Sequence, residues 1–170
     1  MVGGRVGCFG IFSAEGGDCS KPSKDMEVHE SEVMPRKQYL AQETGTCCFV
    51  YGVANCLVYR DLPVPDLEPV FDMACCRHGS TIHHQKVVDH MKAPLEPTMD
   101  HKLVYKHGGI LNIWHPIWNG HAFFLYPTGP HEEVVIINSW LGPNVIKCGA
   151  IELDQFVPEK HNIGKYWRMT

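Results

Sequence analysis

Three short segments of the sequence contain the residue types that a cysteine nucleophile needs. A thiol at Cys48 follows Gln42 by six positions, and both belong to the segment Gln42-Glu43-Thr44-Gly45-Thr46-Cys47-Cys48-Phe49. An imidazole, His121, begins one apolar run, and a carboxamide, Asn138, ends the next. Acyl transfer by a thiol requires a base, a group that orients the base and donors for the oxyanion. Together these segments predict nucleophilic chemistry at a carbonyl carbon.

Cys48 is predicted to lie at the start of a helix. Apolar side chains recur at helical spacing from Cys48 to Tyr59, and Thr44 or Thr46 is expected to cap the segment. The positive end of the helix dipole lowers the pKa of a thiol at this position and favours the reactive thiolate. The competing interpretation is that Cys48 is a small buried apolar residue, as most cysteines outside disulfides are.

His121 and Asn138 are predicted to be neighbours on adjacent strands. They lie 17 positions apart (138 − 121), which is enough for two strands and a hairpin. The Asn138 amide would then accept a hydrogen bond from one ring nitrogen, so that the other faces the sulfur. Trp140 would cover that bond and exclude water. The alternative is a structural histidine beside an asparagine in a turn.

Gln42 is the candidate for the oxyanion donor. Its side-chain amide, with the backbone N–H of Cys48, would bind the oxyanion of a tetrahedral intermediate. The alternative is a glutamine in a surface loop.

The elements that must position these residues change in type along the chain. Helices are predicted first, over Cys48–Tyr59, over Asp66–Cys76, and from Ser80 or Thr81 to about Met91. Strands follow, and the predicted ones are Leu103–Tyr105, Ile110–Trp114, Ala122–Tyr126, Val134–Asn138, Ala150–Leu153 and Tyr166–Met169. Helices followed by antiparallel strands predict an α+β fold.

Composition restricts the function further. The 170 residues carry a net charge of −4 and no basic run, which argues against a nucleic-acid partner. No apolar segment is long enough to cross a membrane, and the patch Cys8 to Phe12 is too short for a signal peptide, so a cytoplasmic location is expected. The eight cysteines are expected to be mostly reduced. The Cys75-Cys76-Arg77-His78 segment matches no standard zinc spacing, and neither a metal nor a cofactor is expected.

The segment Gln42 to Tyr51 resembles the nucleophile segment of the papain family of cysteine proteases. Gly120-His121-Ala122 is similar to the family's histidine segment, and Asn138-Ser139-Trp140 matches its Asn-Ser-Trp segment. The resemblance implies that Cys48 is the nucleophile, His121 the base and Asn138 its orienting group. It also implies that Gln42 is the oxyanion donor.

The same resemblance implies a two-lobed fold. A helical lobe that contains the nucleophile helix, residues 36–100, would pack on an antiparallel β-barrel-like lobe, residues 101–170. Residues 1–35 are rich in Gly, Ser, Lys and Glu and are expected to form a flexible arm.

The sequence also departs from the family pattern. Cys47 stands directly before Cys48, so Cys47 is a rival for the reactive thiol. The interval from Cys48 to His121 is 73 positions (121 − 48), against about 130–150 in cathepsins, so the chain resembles a shortened member.

The expected activity is cleavage of peptide or related amide bonds in a peptide or protein substrate, through an acyl-thioester. Two alternatives remain open. The first is a glutamine deamidase or acyltransferase that uses the same Cys-His-Asn set, and the second is an inactive papain-like binding module. The sequence does not indicate an oligomeric state.

Overall fold

The computed structural model describes 37–42, 46–76, 81, 83–113, 121–129, 133–139, 144–149 (backbone only) and 166–170. The predicted arm, residues 1–35, lies outside the described residues, and so does the predicted strand Ala150–Leu153.

Four helices are described, α1 (Cys48–Tyr59), α2 (Glu68–Ala74), α3 (His84–Met91) and α4 (His101–His107). The bounds of α1 are the predicted ones, although Cys47 rather than a threonine is its N-cap residue, and no side chain caps the helix. Helices α2 and α3 are shorter than predicted. Helix α2 ends where Cys75 adopts a left-handed conformation, with φ of 56°.

Six described strands form one antiparallel sheet. They are β1 (Leu95–Thr98), β2 (Gly109–Ile113), β3 (His121–Pro127), β4 (Glu133–Asn138), β5 (Asn144–Gly149) and β6 (Tyr166–Met169). Their spatial order is β1-β6-β2-β3-β4-β5. The α+β class is confirmed. Within the described residues the sheet is open, with β1 and β5 at its edges, so these strands do not make the closed, barrel-like lobe that the resemblance implied.

Strand β3 is apolar along its length because both faces of the sheet are covered. On one face Phe124 lies 5.4 Å from the ring of Tyr59, at the end of α1. On the other face Phe123 and Leu125 share a buried cluster with Val104 of α4. Side chains alternate between the two faces of a strand, so a strand that is buried on both faces shows no polar alternation.

The predicted strand Leu103–Tyr105 is wrong, because this segment lies inside α4. Val and Tyr are common in strands, but the signals at the two ends of the segment favour a helix. The Asp100 side chain accepts a hydrogen bond from the Lys102 N–H over 2.9 Å, which caps the first turn. Gly108, with φ of 79°, ends the helix.

Strands β1 and β5 were not predicted. Strand β1 contains Pro97, which cannot donate to a strand ladder and is therefore typical of edge strands. It pairs with β6, where Pro97 lies opposite Trp167. This pairing joins a strand from within the predicted helical lobe, residues 36–100, to the C-terminal strand of the sheet.

Candidate active site

The His121 and Asn138 side chains meet at the ends of adjacent strands. Strands β3 and β4 pair antiparallel with Phe124 opposite Ile137, which brings the first residue of β3 near the last of β4. His121 Nε2 lies 3.0 Å from Asn138 Oδ1, and both side chains are buried. Since an amide oxygen only accepts, Nε2 is the protonated nitrogen. The basic lone pair of the neutral ring is therefore on Nδ1.

The second ring nitrogen of His121 has no hydrogen-bond partner within the described part of the chain. Nδ1 is fully buried there, and only 7% of the His121 residue surface is exposed. A buried polar atom without a partner is uncommon in folded proteins and calls for an explanation, of which a catalytic role is one. Nδ1 carries the basic lone pair of the neutral ring, so that role is chemically open to it.

Burial also sets the charge of the imidazole. Desolvation lowers the pKa of His121 below its usual 6.5, and the hydrogen bond with Asn138 opposes this effect only in part. The ring is therefore neutral near pH 7, which is the form that can accept a proton.

Gln42 is attached to the same strand end by two hydrogen bonds. Its backbone N–H donates to the Ser139 carbonyl over 2.7 Å, and the Ser139 hydroxyl donates to Gln42 Oε1 over 3.2 Å. Both side chains are buried, so Gln42 is not a surface loop residue. Because Ser139 binds the oxygen of the carboxamide, the Nε2 donor faces away from that hydroxyl.

Cys48 is the first residue of α1. The first turn contains no acidic side chain, so nothing within it opposes the helix dipole at the sulfur. Phe49 holds this turn in place, with its ring 4.2 Å from that of His84 and 5.8 Å from that of Trp167. Cys48 packs against the main apolar cluster, which also contains Ala122, the neighbour of His121.

The two adjacent thiols differ in exposure. Cys48 is half-buried, whereas only 1% of the Cys47 surface is exposed. A reagent from solvent therefore reaches Cys48 far more readily than Cys47.

The structure thus joins His121 with Asn138, and Gln42 with Ser139, at one end of the sheet. Trp140 lies outside the described residues. Sequence reasoning gave Ser139 no role, although it stands inside the Asn-Ser-Trp segment. Its bond to Gln42 crosses 97 positions (139 − 42), which no local pattern reveals.

Comparison of the chain with family models, curated proteins and solved structures gives no significant match. Among the described residues no three metal-ligating side chains cluster. None of the described helices has the length and apolar character needed to span a bilayer.

Proposed function

We propose that this protein is a papain-like cysteine hydrolase that cleaves peptide or related amide bonds. The observation that carries the proposal is the His121–Asn138 pair, in which Nε2 is bound and Nδ1 is buried without a described partner. This arrangement fixes the tautomer and the rotation of the ring, as the third group of a catalytic triad does. The open lone pair suits a base that takes the proton of a thiol.

In the proposed reaction Cys48 Sγ transfers its proton to His121 Nδ1 and attacks the carbonyl carbon. The carbonyl π electrons move to oxygen, and the resulting oxyanion accepts hydrogen bonds from Gln42 Nε2 and the Cys48 backbone N–H. Collapse breaks the C–N bond, and the proton on Nδ1 goes to the leaving amine. Water, deprotonated by His121, then attacks the acyl-thioester and releases the carboxylic acid and the thiol.

Three further features support these roles. The partial exposure of Cys48 favours it over the buried Cys47 as the nucleophile. The lowered pKa of His121 favours a neutral imidazole that can act as a base. The bond from Ser139 orients the Gln42 carboxamide, and Ser139 directly follows Asn138, so one chain segment serves both the base and the oxyanion donor.

Brief alkylation at pH 6 with iodoacetamide, followed by mass spectrometry, tests the identity of the nucleophile. Cys48 is expected to react fastest of the eight thiols. Cys48→Ala is expected to abolish the fast reaction, and Cys47→Ala, the matched control, to retain it. Fast labelling of Cys47 alone would overturn the assignment.

Incubation with a mixed peptide library tests the reaction itself. New amino termini that are absent with Cys48→Ala support hydrolysis of peptide bonds. Release of ammonia without chain scission would instead indicate the deamidase alternative. A Cys48 thiol of ordinary reactivity, with no product of either kind, would indicate an inactive binding module.

A further inference from the structure

The segment of residues 37–42 lies along α1 and runs in the opposite direction to the helix. Lys37 Nζ donates to the carbonyl of Tyr59, the last residue of α1. Three positions later along the segment, Leu40 is bound by Asn55, which lies one turn earlier in the helix. As the segment proceeds, its contacts therefore move from the C-terminal end of α1 towards the N-terminal end.

Asn55 binds both backbone groups of Leu40. The Leu40 N–H donates to Asn55 Oδ1 over 2.7 Å, and Asn55 Nδ2 donates to the Leu40 carbonyl over 3.3 Å. None of the Asn55 surface is exposed, and Asn55 is the only carboxamide in α1. Burial of an amide is unfavourable unless its polar atoms are bound. Two bonds to one residue fix both the place and the direction of the backbone at Leu40.

The fixed backbone at Leu40 restricts the position of Gln42. The two residues are two positions apart, so their Cα atoms are at most about 7 Å apart. On its other side, Gln42 is held by the bond from its N–H to the Ser139 carbonyl, at 2.7 Å. Cys48 and Asn55 are seven positions apart in α1 (55 − 48), which is nearly two turns and about 10 Å along the helix axis. They therefore lie on the same side of α1.

We propose that Asn55 is a positioning residue, which sets the place of Gln42 relative to Cys48 by holding Leu40. The inference rests on the proposed role of Gln42 as oxyanion donor. Asn55 contacts no reacting atom in the proposed reaction and acts only through the backbone of residues 40–42. Helix α1 would then supply the nucleophile from its first residue and, two turns later, the group that holds the oxyanion donor in place.

Asn55→Leu removes both bonds to Leu40 and nearly retains the volume of the side chain. Acylation of Cys48 by p-nitrophenyl acetate is expected to fall by about 10–100-fold, because Gln42 Nε2 is no longer held where the oxyanion forms. Alkylation by iodoacetamide forms no oxyanion, and its rate should stay near that of wild type.

Val53→Ala is the matched control for a change inside α1. Val53 is fully buried, and it lies two positions from Asn55, so the two side chains do not face each other. This variant is expected to lower the stability of the protein without changing the ratio of the acylation rate to the alkylation rate. An equal change of that ratio in Val53→Ala and Asn55→Leu would overturn the inference.

A double mutant shows whether Asn55 acts through Gln42. Acylation in Asn55→Leu/Gln42→Ala is expected to be no slower than in Gln42→Ala, because the donor that Asn55 positions is already gone. Unchanged acylation in Asn55→Leu, equal slowing in both backgrounds, or an equal loss of alkylation would overturn the inference and leave the proposed function standing. A Gln42→Ala acylation rate equal to that of wild type would instead refute the oxyanion role of Gln42, and the inference with it.

Hydrogen exchange measured by NMR tests the same link without any reaction. Because the Gln42 N–H donates to Ser139, its exchange rate reports how often this end of the segment opens. Asn55→Leu is expected to raise that rate by about tenfold or more, while the amides of β3, inside the sheet, keep their protection. An unchanged rate at Gln42 would overturn the inference. If β3 also loses protection, Asn55→Leu is unfolded, and the milder Asn55→Ala decides by the same criteria.

Discussion

The Ser139 hydroxyl donates to Gln42 Oε1 over 3.2 Å, one residue beyond the asparagine that binds His121. A single short segment at the end of β4 therefore fixes two side chains that come from distant parts of the sequence. We propose that His121 is the base and Gln42 the oxyanion donor. These two roles can be tested separately, because some reactions of a thiol need an oxyanion donor and others do not.

Gln42→Ala is expected to separate acylation of Cys48 from its alkylation. Loss of an oxyanion donor should lower the rate of acylation by p-nitrophenyl acetate by about 10²–10³-fold. Alkylation by iodoacetamide displaces iodide at a saturated carbon and forms no oxyanion, so its rate should stay near that of wild type. Stopped-flow measurement of the nitrophenolate burst gives the first rate. A parallel loss of both rates would show that Gln42 has only a structural role.

Asn138→Ala is expected to release the His121 ring from its fixed orientation. The alkylation rate of Cys48 near pH 6 should fall by about tenfold, the equivalent of about 1.4 kcal/mol, because Nδ1 no longer faces a constant direction. Asn138→Asp retains an oxygen acceptor for Nε2 and serves as the matched comparison. Equal alkylation rates in Asn138→Ala and wild type would remove Asn138 from the site.

Acid is expected to destabilise the protein because burial lowers the pKa of both His121 and His84. In the unfolded chain each imidazole binds a proton near pH 6.5, whereas in the folded protein it binds a proton only at a lower pH. The unfolded state therefore holds more protons below pH 6.5, and stability is lost as the pH falls through that value. The loss is at most about 1.4 kcal/mol per pH unit for each histidine.

Urea denaturation at pH 7.5, 6.5 and 5.5 measures this slope. His121→Gln is expected to reduce it, since glutamine keeps an amide donor for Asn138 and does not titrate. His90 is exposed on α3, and His90→Gln is the matched control for the same substitution at a surface position. A slope that His121→Gln does not alter would contradict the assignment of a buried, neutral imidazole.

Substitution by alanine at two glycines is expected to change the stability of the protein in opposite directions. A Cβ on Gly52 of α1 would lie 3.6 Å from Ile110 Cδ1, an ordinary contact, and alanine is the better helix former. Gly52→Ala should therefore stabilise the protein by about 0.5–1 kcal/mol.

Gly109 is the contrasting position. Its φ is 144°, and an added Cβ would collide with the Trp167 carbonyl oxygen of the neighbouring strand. Gly109→Ala should cost about 1–3 kcal/mol or more, since the backbone of β6 must move. Thermal denaturation of both variants measures the two effects. Stabilisation by Gly109→Ala would show that β2 and β6 pack less closely than described.

The elements that were predicted correctly are those in which the local spacing of apolar residues matches the burial of their side chains in the fold. The bounds of α1 and β6 follow directly from apolar spacing and flanking turns. Helix α4 was missed because Val104 and Tyr105 have strand propensity, while the decisive signal was the Asp100 cap. Strand β1 was missed because its stability comes from pairing with β6, about 70 positions later, and no local pattern contains that information.

Local chemistry predicted the residue types of the candidate site, and chain topology decided their contacts. The proximity of His121 and Asn138 follows from the hairpin spacing and is observed as a 3.0 Å bond. The two bonds between Gln42 and Ser139 depend on how the segment before α1 packs against the end of the sheet. The catalytic roles of these residues remain predictions for the experiments above.

The 97 positions between Gln42 and Ser139 also have a consequence during synthesis. Cys48 is translated 90 residues before Asn138 (138 − 48), an interval of about 5–20 s at ordinary elongation rates. Throughout that interval the growing chain contains the Cys48 thiol but not the end of β4, whose Asn138 and Ser139 bind His121 and Gln42. A ribosome-bound fragment that stops before β4 therefore has none of the bonds that unite the two halves of the site.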